Sequence, residues 1–195
     1  MTPIVIGRLL SSTTSGCVIG CQVSQADAPA FGQMVRIPLE DGSQVFGLVH
    51  EIHVNDDGLV RQLVTSINLS PEVIEDNRKN RNMPVEMSVV FIGWQNAKTI
   101  SQTRPPKPPL SLEKIYTCED GEVSAFCASG RFAYLRSLVR NEDLPAADLL
   151  TAHLGQVLKS GNIESENALR EVIALLKDDY PQLMDVLSAV SEIVA

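Results

Sequence analysis

No glycine in this chain is followed by lysine, so the loop Gly-x-x-x-x-Gly-Lys-Ser/Thr, whose backbone amides and lysine hold the phosphates of ATP, is missing. Gly-x-Gly-x-x-Gly and Gly-x-Ser-x-Gly are missing too, which removes the dinucleotide fingerprint and the hydrolase elbow. Apolar runs are short. Val89-Val90-Phe91-Ile92 falls far below the roughly 20 residues that cross a bilayer, so no membrane span is expected. Cysteine is scarce as well, with four in 195 residues. Cys17 and Cys21 on one strand would stand about 13 Å apart, too far for a disulfide or a shared zinc ion. Cys118 and Cys127 lack the short spacing of zinc ligands, so buried thiols are expected and no metal or other cofactor.

Positive charge is in deficit. Sixteen Lys and Arg stand against 24 Asp and Glu, a net charge of -8 that argues against a general nucleic-acid binder. Up to Lys107 there are nine basic and ten acidic residues, and from Pro108 onward seven and fourteen, so the second part holds most of the excess. Such an acidic stretch is a solvated surface or meets a basic partner. Met1 to Gly7, ahead of Arg8, has neither the basic start nor the apolar core of a signal peptide, and a cytoplasmic location is expected.

The first half is rich in β-formers punctuated by turns. Ile4 to Leu10 and Cys17 to Val23 flank a Ser/Thr/Gly run, Gln33 to Ile37 alternates, and Asp41-Gly42 is a strong hairpin signal before Val45 to Val54. Leu59 to Thr65 and Val85 to Trp94 complete six predicted strands, which suggests a barrel or sandwich. Gly47, inside the fourth, predicts a bulge or bend. Arg104-Pro105-Pro106-Lys107-Pro108-Pro109 can neither extend a ladder nor start a regular helix, and is expected to be a stiff spacer. The boundary is drawn there: a β-barrel domain over 1–103, a Pro-rich linker over 104–110, and over 111–195 a hairpin followed by an acidic helical domain.

In that last part, Glu119-Asp120-Gly121 is read as the turn of a hairpin from Ile115 to Phe126, with helical periodicity from about Phe132. Pro145 suits a first helical position, and Leu149, Leu150, His153, Leu154, Val157 and Leu158 form one apolar stripe. Leu169, Val172, Ile173 and Leu176, then Leu183, Leu187, Val190 and Val194, line further faces, giving a bundle of three or four helices. These stripes are expected to pack on each other and on the barrel or a second subunit, with a homodimer through the C-terminal helices as one outcome.

His50-Glu51-Ile52-His53 resembles a metal or acid/base motif until strand geometry is applied: a spacing of three sends the imidazoles to opposite faces. The densest basic run, Arg78-Lys79-Asn80-Arg81, together with Arg104 and Lys107, is the candidate contact for an anion or an acidic partner surface. It lacks interleaved aromatics for base stacking. Trp94, the single tryptophan, is read as a core or interdomain anchor.

The stretches Ile6-Gly7-Arg8-Leu9-Leu10-Ser11-Ser12, Gly32-Gln33-Met34-Val35-Arg36-Ile37 and Gly47-Leu48-Val49-His50-Glu51-Ile52 resemble the HAS-barrel, the small barrel shared by HerA-type translocases and rotary ATP synthases. The resemblance covers the first 65 to 95 residues or so. It implies an α+β chain whose N-terminal domain is a small closed six-stranded antiparallel β-barrel, here followed by an α-helical bundle instead of an ATPase core. It implies assembly and contact in place of catalysis, and carries over no catalytic residue. The leading expectation is a non-enzymatic assembly or adaptor protein that binds a protein partner, with a ring ATPase as candidate. The alternatives are a nucleic-acid-processing accessory factor acting through the basic loop, and an enzyme with a site at the domain junction near His50, Arg104 and Glu119.

Overall fold

The computed structural model describes residues 5–21, 28–54, 65, 70–72, 85–159 and 165–194. Two hairpins arise where the local sequence demands them. β1 (Val5–Ser12) and β2 (Gly16–Cys21) turn at Thr13, whose N–H donates to the Gly16 carbonyl at 2.8 Å. β3 (Met34–Pro38) and β4 (Gln44–Val54) turn at Asp41-Gly42, where Gly42 takes φ 78, a left-handed value that suits glycine. β5 (Val85–Gln95) runs antiparallel to β4 along its whole length, and the two-residue β6 (Ile100–Ser101) folds back on its end. A register shift falls between Phe46 and Gly47, the bulge expected at that glycine.

The sheet closes through a strand that lies beyond the prolines. β7 (Lys114–Thr117) inserts between β1 and β3, pairing Val5 with Tyr116 and Val35 with Thr117, while β2 pairs with β5. Around the ring the order is β1, β2, β5, β4, β3, β7, a closed six-stranded antiparallel barrel with β6 appended to β5. Closure leaves no long unpaired strand edge among these six. The predicted strand at Leu59 to Thr65 falls outside the described residues apart from Thr65, and the closing strand is the one at 114–117.

Three expectations are corrected here. The barrel does not end at 103, because its closing strand follows the Pro-rich segment. That segment is not a free spacer: Pro105 and Pro109 are buried, and the Pro109 carbonyl accepts from the Ser12 hydroxyl on β1. There is also no hairpin from Ile115 to Phe126. Glu119 is the N-cap of helix α1 (Asp120–Gly130), and its N–H donates to the Glu122 carboxylate at 2.9 Å. A capping box and two acidic residues in the first turn stabilise a helix start, which outweighs the turn-like composition of Glu-Asp-Gly.

Four more helices follow among the described residues, one or two more than expected in all: α2 (Leu135–Val139), α3 (Ala146–Lys159), α4 (Ser165–Leu176) and α5 (Tyr180–Val194). Pro145 stands directly before α3, as its fixed φ favours. The predicted α3 stripe is buried apart from Leu158, which is half-buried. On α4 the buried face is Ala168, Val172 and Leu176, while Ile173 is exposed. Among the described residues no helix is long and apolar enough to cross a membrane.

Two apolar cores share one sheet. Ile6, Leu9, Ile19, Val35, Met87, Val89, Phe91 and Ile115 fill the barrel interior. Phe46, Leu48, Val90 and Ile92 point outward from β4 and β5 and pack against Phe126, Tyr134, Leu150 and the other helical residues. Strands covered on both faces read as continuous apolar runs, which accounts for Val89-Val90-Phe91-Ile92. Phe126 sits at the seam, its ring 4.9 Å from Phe46 and 5.4 Å from Tyr134. The helices thus pack on the barrel itself.

Candidate functional site

The sequence-predicted contact residues are not gathered into one described site. Arg78, Lys79 and Arg81 lie outside the described residues. Arg104 and Lys107 are exposed on the Pro-rich segment. On β4, His50 is half-buried and His53 exposed, and burial lowers the His50 pKa against the opposing charge of Glu51. The groove of about 320 Å³ beside His50 is lined by Ser11, Ser12, Ser88 and Asn141 among others, and contains neither Arg104 nor Glu119. Among the described residues no cluster of His, Cys, Asp and Glu could hold a metal ion, and none of the four cysteines forms a disulfide.

One polar chain is buried at the barrel-to-helix seam. The His153 Nδ1–H donates to the Gly32 carbonyl at 3.0 Å, which fixes the tautomer and leaves Nε2 to accept from the Tyr134 hydroxyl at 2.7 Å. The Tyr134 oxygen in turn accepts from the Cys127 thiol at 3.5 Å. Burial lowers the His153 pKa to about 4, raises Cys127 to about 11 and holds Tyr134 well above its usual value, so all three are neutral at pH 7. Both ring nitrogens are engaged, and a fully satisfied neutral network specifies packing. It offers no poised acid or base. The network joins α1, the start of α2, α3 and the turn before β3, and Gly32 permits it: at φ 80, a Cβ there would stand 2.8 Å from both Ala152 Cβ and the His153 amide nitrogen.

A shallower hollow of about 350 Å³ opens over the same seam, with Gln33, Met34, Cys118 and Val123 in its wall. Burial pushes the Cys118 thiol well above its usual pKa, so it is not a nucleophile at neutral pH. Close by, Arg36 on β3 pairs with Glu122 of α1 at 2.9 Å and lies 5.0 Å from the centre of the Tyr116 ring. This pair is a further tie between helix and barrel.

At the β3–β4 end the barrel has a larger cavity, about 580 Å³, roofed by the Pro-rich segment. Leu39, Val45, Trp94, Pro105, Pro109 and Leu110 give it apolar walls. Leu39 and Trp94 belong at the same time to the margin of the interior core, so the cavity is the mouth of the barrel. Glu40, Asp41 and Glu113 carry negative charge around it, against one cation, Lys107. Trp94 is half-buried here and anchors the barrel mouth. Sequence reasoning missed this cavity, because its walls come from segments whose meeting depends on β7. Comparison of the sequence with protein-family models and with curated proteins gives no match.

Proposed function

We propose that this protein is a non-catalytic assembly or adaptor module that engages a protein partner through the surface around the barrel mouth. The observation that carries this reading is a set of exposed leucines along one seam. Leu10 on β1, Leu110 and Leu112 are 51%, 69% and 68% exposed. Hydrogen bonds from the Leu112 N–H to Leu9 and from the Ser111 hydroxyl to Leu10 hold the two segments side by side. Large apolar side chains gathered on a polar surface mark contact sites. Leu112 also adopts φ 72, a costly conformation for a side chain of its size, and the Arg8 guanidinium secures it by donating to the Leu112 carbonyl at 2.8 Å.

The resemblance to the HAS-barrel makes a ring ATPase the first partner to try. The test is affinity capture with the full chain and with a Leu110→Ser/Leu112→Ser variant, followed by mass spectrometry and reconstitution with purified candidates. A partner that binds the native chain directly and loses at least about tenfold in affinity to the variant supports the reading. Failure of any purified protein to bind, or equal binding by the variant, overturns it.

A further inference from the structure

The barrel mouth pairs apolar walls with an excess of carboxylates, and this combination selects a chemical class. Its volume of about 580 Å³ suits a side chain or a short extended segment, not a whole domain. Glu40 and Asp41 approach from the β3–β4 turn and Glu113 from the start of β7, while Lys107 is the single cation among the lining residues. Asp41 is held below the usual carboxylate range chiefly by the Ser43 hydroxyl and N–H, with Lys107 a lesser contributor. A phosphate or an acidic peptide would meet net repulsion there.

We infer that the barrel mouth receives an arginine-bearing, extended segment of the protein partner, with the guanidinium against Trp94 among Glu40, Asp41 and Glu113 and the side-chain stem against Pro105 and Pro109. The indole face attracts a guanidinium, the carboxylates accept its N–H groups in charge-assisted bonds, and the proline walls cover its methylenes. Arginine suits the site better than lysine because its planar fork can reach carboxylates on two sides while stacking on a ring. The exposed Leu110, itself a wall of the cavity, would meet an apolar residue beside the arginine. The walls are set in advance: Pro105 and Pro109 are buried, and Ser12 and Leu9 tether the roof. A rigid site orders little on binding.

This inference rests on the adaptor reading, and its test separates the two. Trp94 is the only tryptophan, so its emission reports on the cavity directly. The full chain is titrated with an eight-residue peptide alternating leucine and arginine, and with the same peptide carrying glutamate for arginine. The expected result is a saturable change in emission with the arginine peptide only, confirmed by calorimetry. Binding weakens at least about tenfold in Glu40→Gln/Glu113→Gln, which leaves the Asp41–Ser43 turn intact, and tightens about two- to fivefold in Lys107→Ala, which removes the competing cation. No saturable change, equal binding of the glutamate peptide, or unaltered binding by the Glu40→Gln/Glu113→Gln variant overturns the inference. A protein partner captured equally by the native chain and by that variant likewise removes the cavity while leaving the adaptor reading in place; no partner for the native chain removes the adaptor reading.

Discussion

His153 is fully buried with its pKa lowered to about 4, first by burial and against the opposing effect of its bond to the Gly32 carbonyl. In the unfolded chain it titrates near about 6.5. Because the folded pKa lies below the unfolded one, the unfolded state binds a proton in this window that the folded state refuses. Stability is therefore full above about pH 6.5 and falls as the pH drops toward 4. Integrated from pH 7 to pH 5, this single group costs about 2 kcal/mol. The assay is urea unfolding followed by Trp94 fluorescence at half-unit steps, for the native chain and for His153→Gln, whose amide does not titrate but can still donate to Gly32 and accept from Tyr134. The half-buried His50 and the carboxylates contribute their own slopes, and these are common to both proteins. The difference in stability between the two should thus move by about 2 kcal/mol in favour of His153→Gln between pH 7 and pH 5. A difference that stays constant to within about 0.5 kcal/mol would refute the buried neutral imidazole, since a tenfold loss of proton affinity on folding already corresponds to about 1.4 kcal/mol.

Tyr134→Phe should cost about 1–3 kcal/mol at pH 7 by leaving the His153 Nε2 without a donor, and the loss should be non-additive with His153→Gln in a double-mutant cycle of urea midpoints. Gly42→Ala and Gly32→Ala separate strain from collision: both sit at left-handed φ, but only Gly32 would drive its Cβ into α3, so the first should lose about 1 kcal/mol in thermal unfolding and the second at least twice that. Cys17 and Cys127, buried with thiol pKa values pushed up to about 12 and about 11, should resist iodoacetamide at pH 8 in the folded chain and react once urea unfolds it, as mass spectrometry would record. A chain truncated after residue 103 loses β7, and one truncated after 118 uncovers Phe46, Leu48, Val90 and Ile92. Both should aggregate or fail to give a cooperative transition, and a monomeric, cooperatively folding 1–103 fragment would refute the shared core.

What the sequence revealed was local. The Asp41-Gly42 turn, the bulge at Gly47 and the α3 stripe each depend on neighbours within a few residues, and each was legible. β7 was legible only as the first arm of the hairpin expected from Ile115, and its place in the barrel was not, because that place lies in pairing with Val5 and Val35, far back in the chain. Glu119-Asp120-Gly121 has the composition of a turn, and only the reach of Glu122 back to the Glu119 N–H decides for a helix. His153 could be placed on an apolar face by spacing, yet nothing local marks Tyr134 and Gly32 as its partners. The barrel mouth was invisible for the same reason, since Leu39, Trp94 and Pro109 meet only after the ring has closed.

The way this sheet is buried limits where it can act. Its interior is filled by packed apolar side chains, and helices cover the outer face of β4 and β5 around Phe46, Leu48, Val90 and Ile92, while the far half of β4 from Glu51 to Val54 stays exposed. The Cys127–Tyr134–His153 chain buried at the seam is neutral and paired, which removes it from exchange with solvent. At the mouth and the leucine seam beside it, the chain accepts terms that lower its stability in isolation. An exposed leucine at φ 72 costs about 1–2 kcal/mol in backbone energy, and its side chain, left 68% exposed, recovers little burial in return. Glu40 and Asp41 on one side of the mouth and Glu113 on the other repel each other across a cavity that only Lys107 relieves. An apolar, cationic segment seated there would offset both costs at once, and the same residues that destabilise the free chain would then supply the affinity and specificity of the complex.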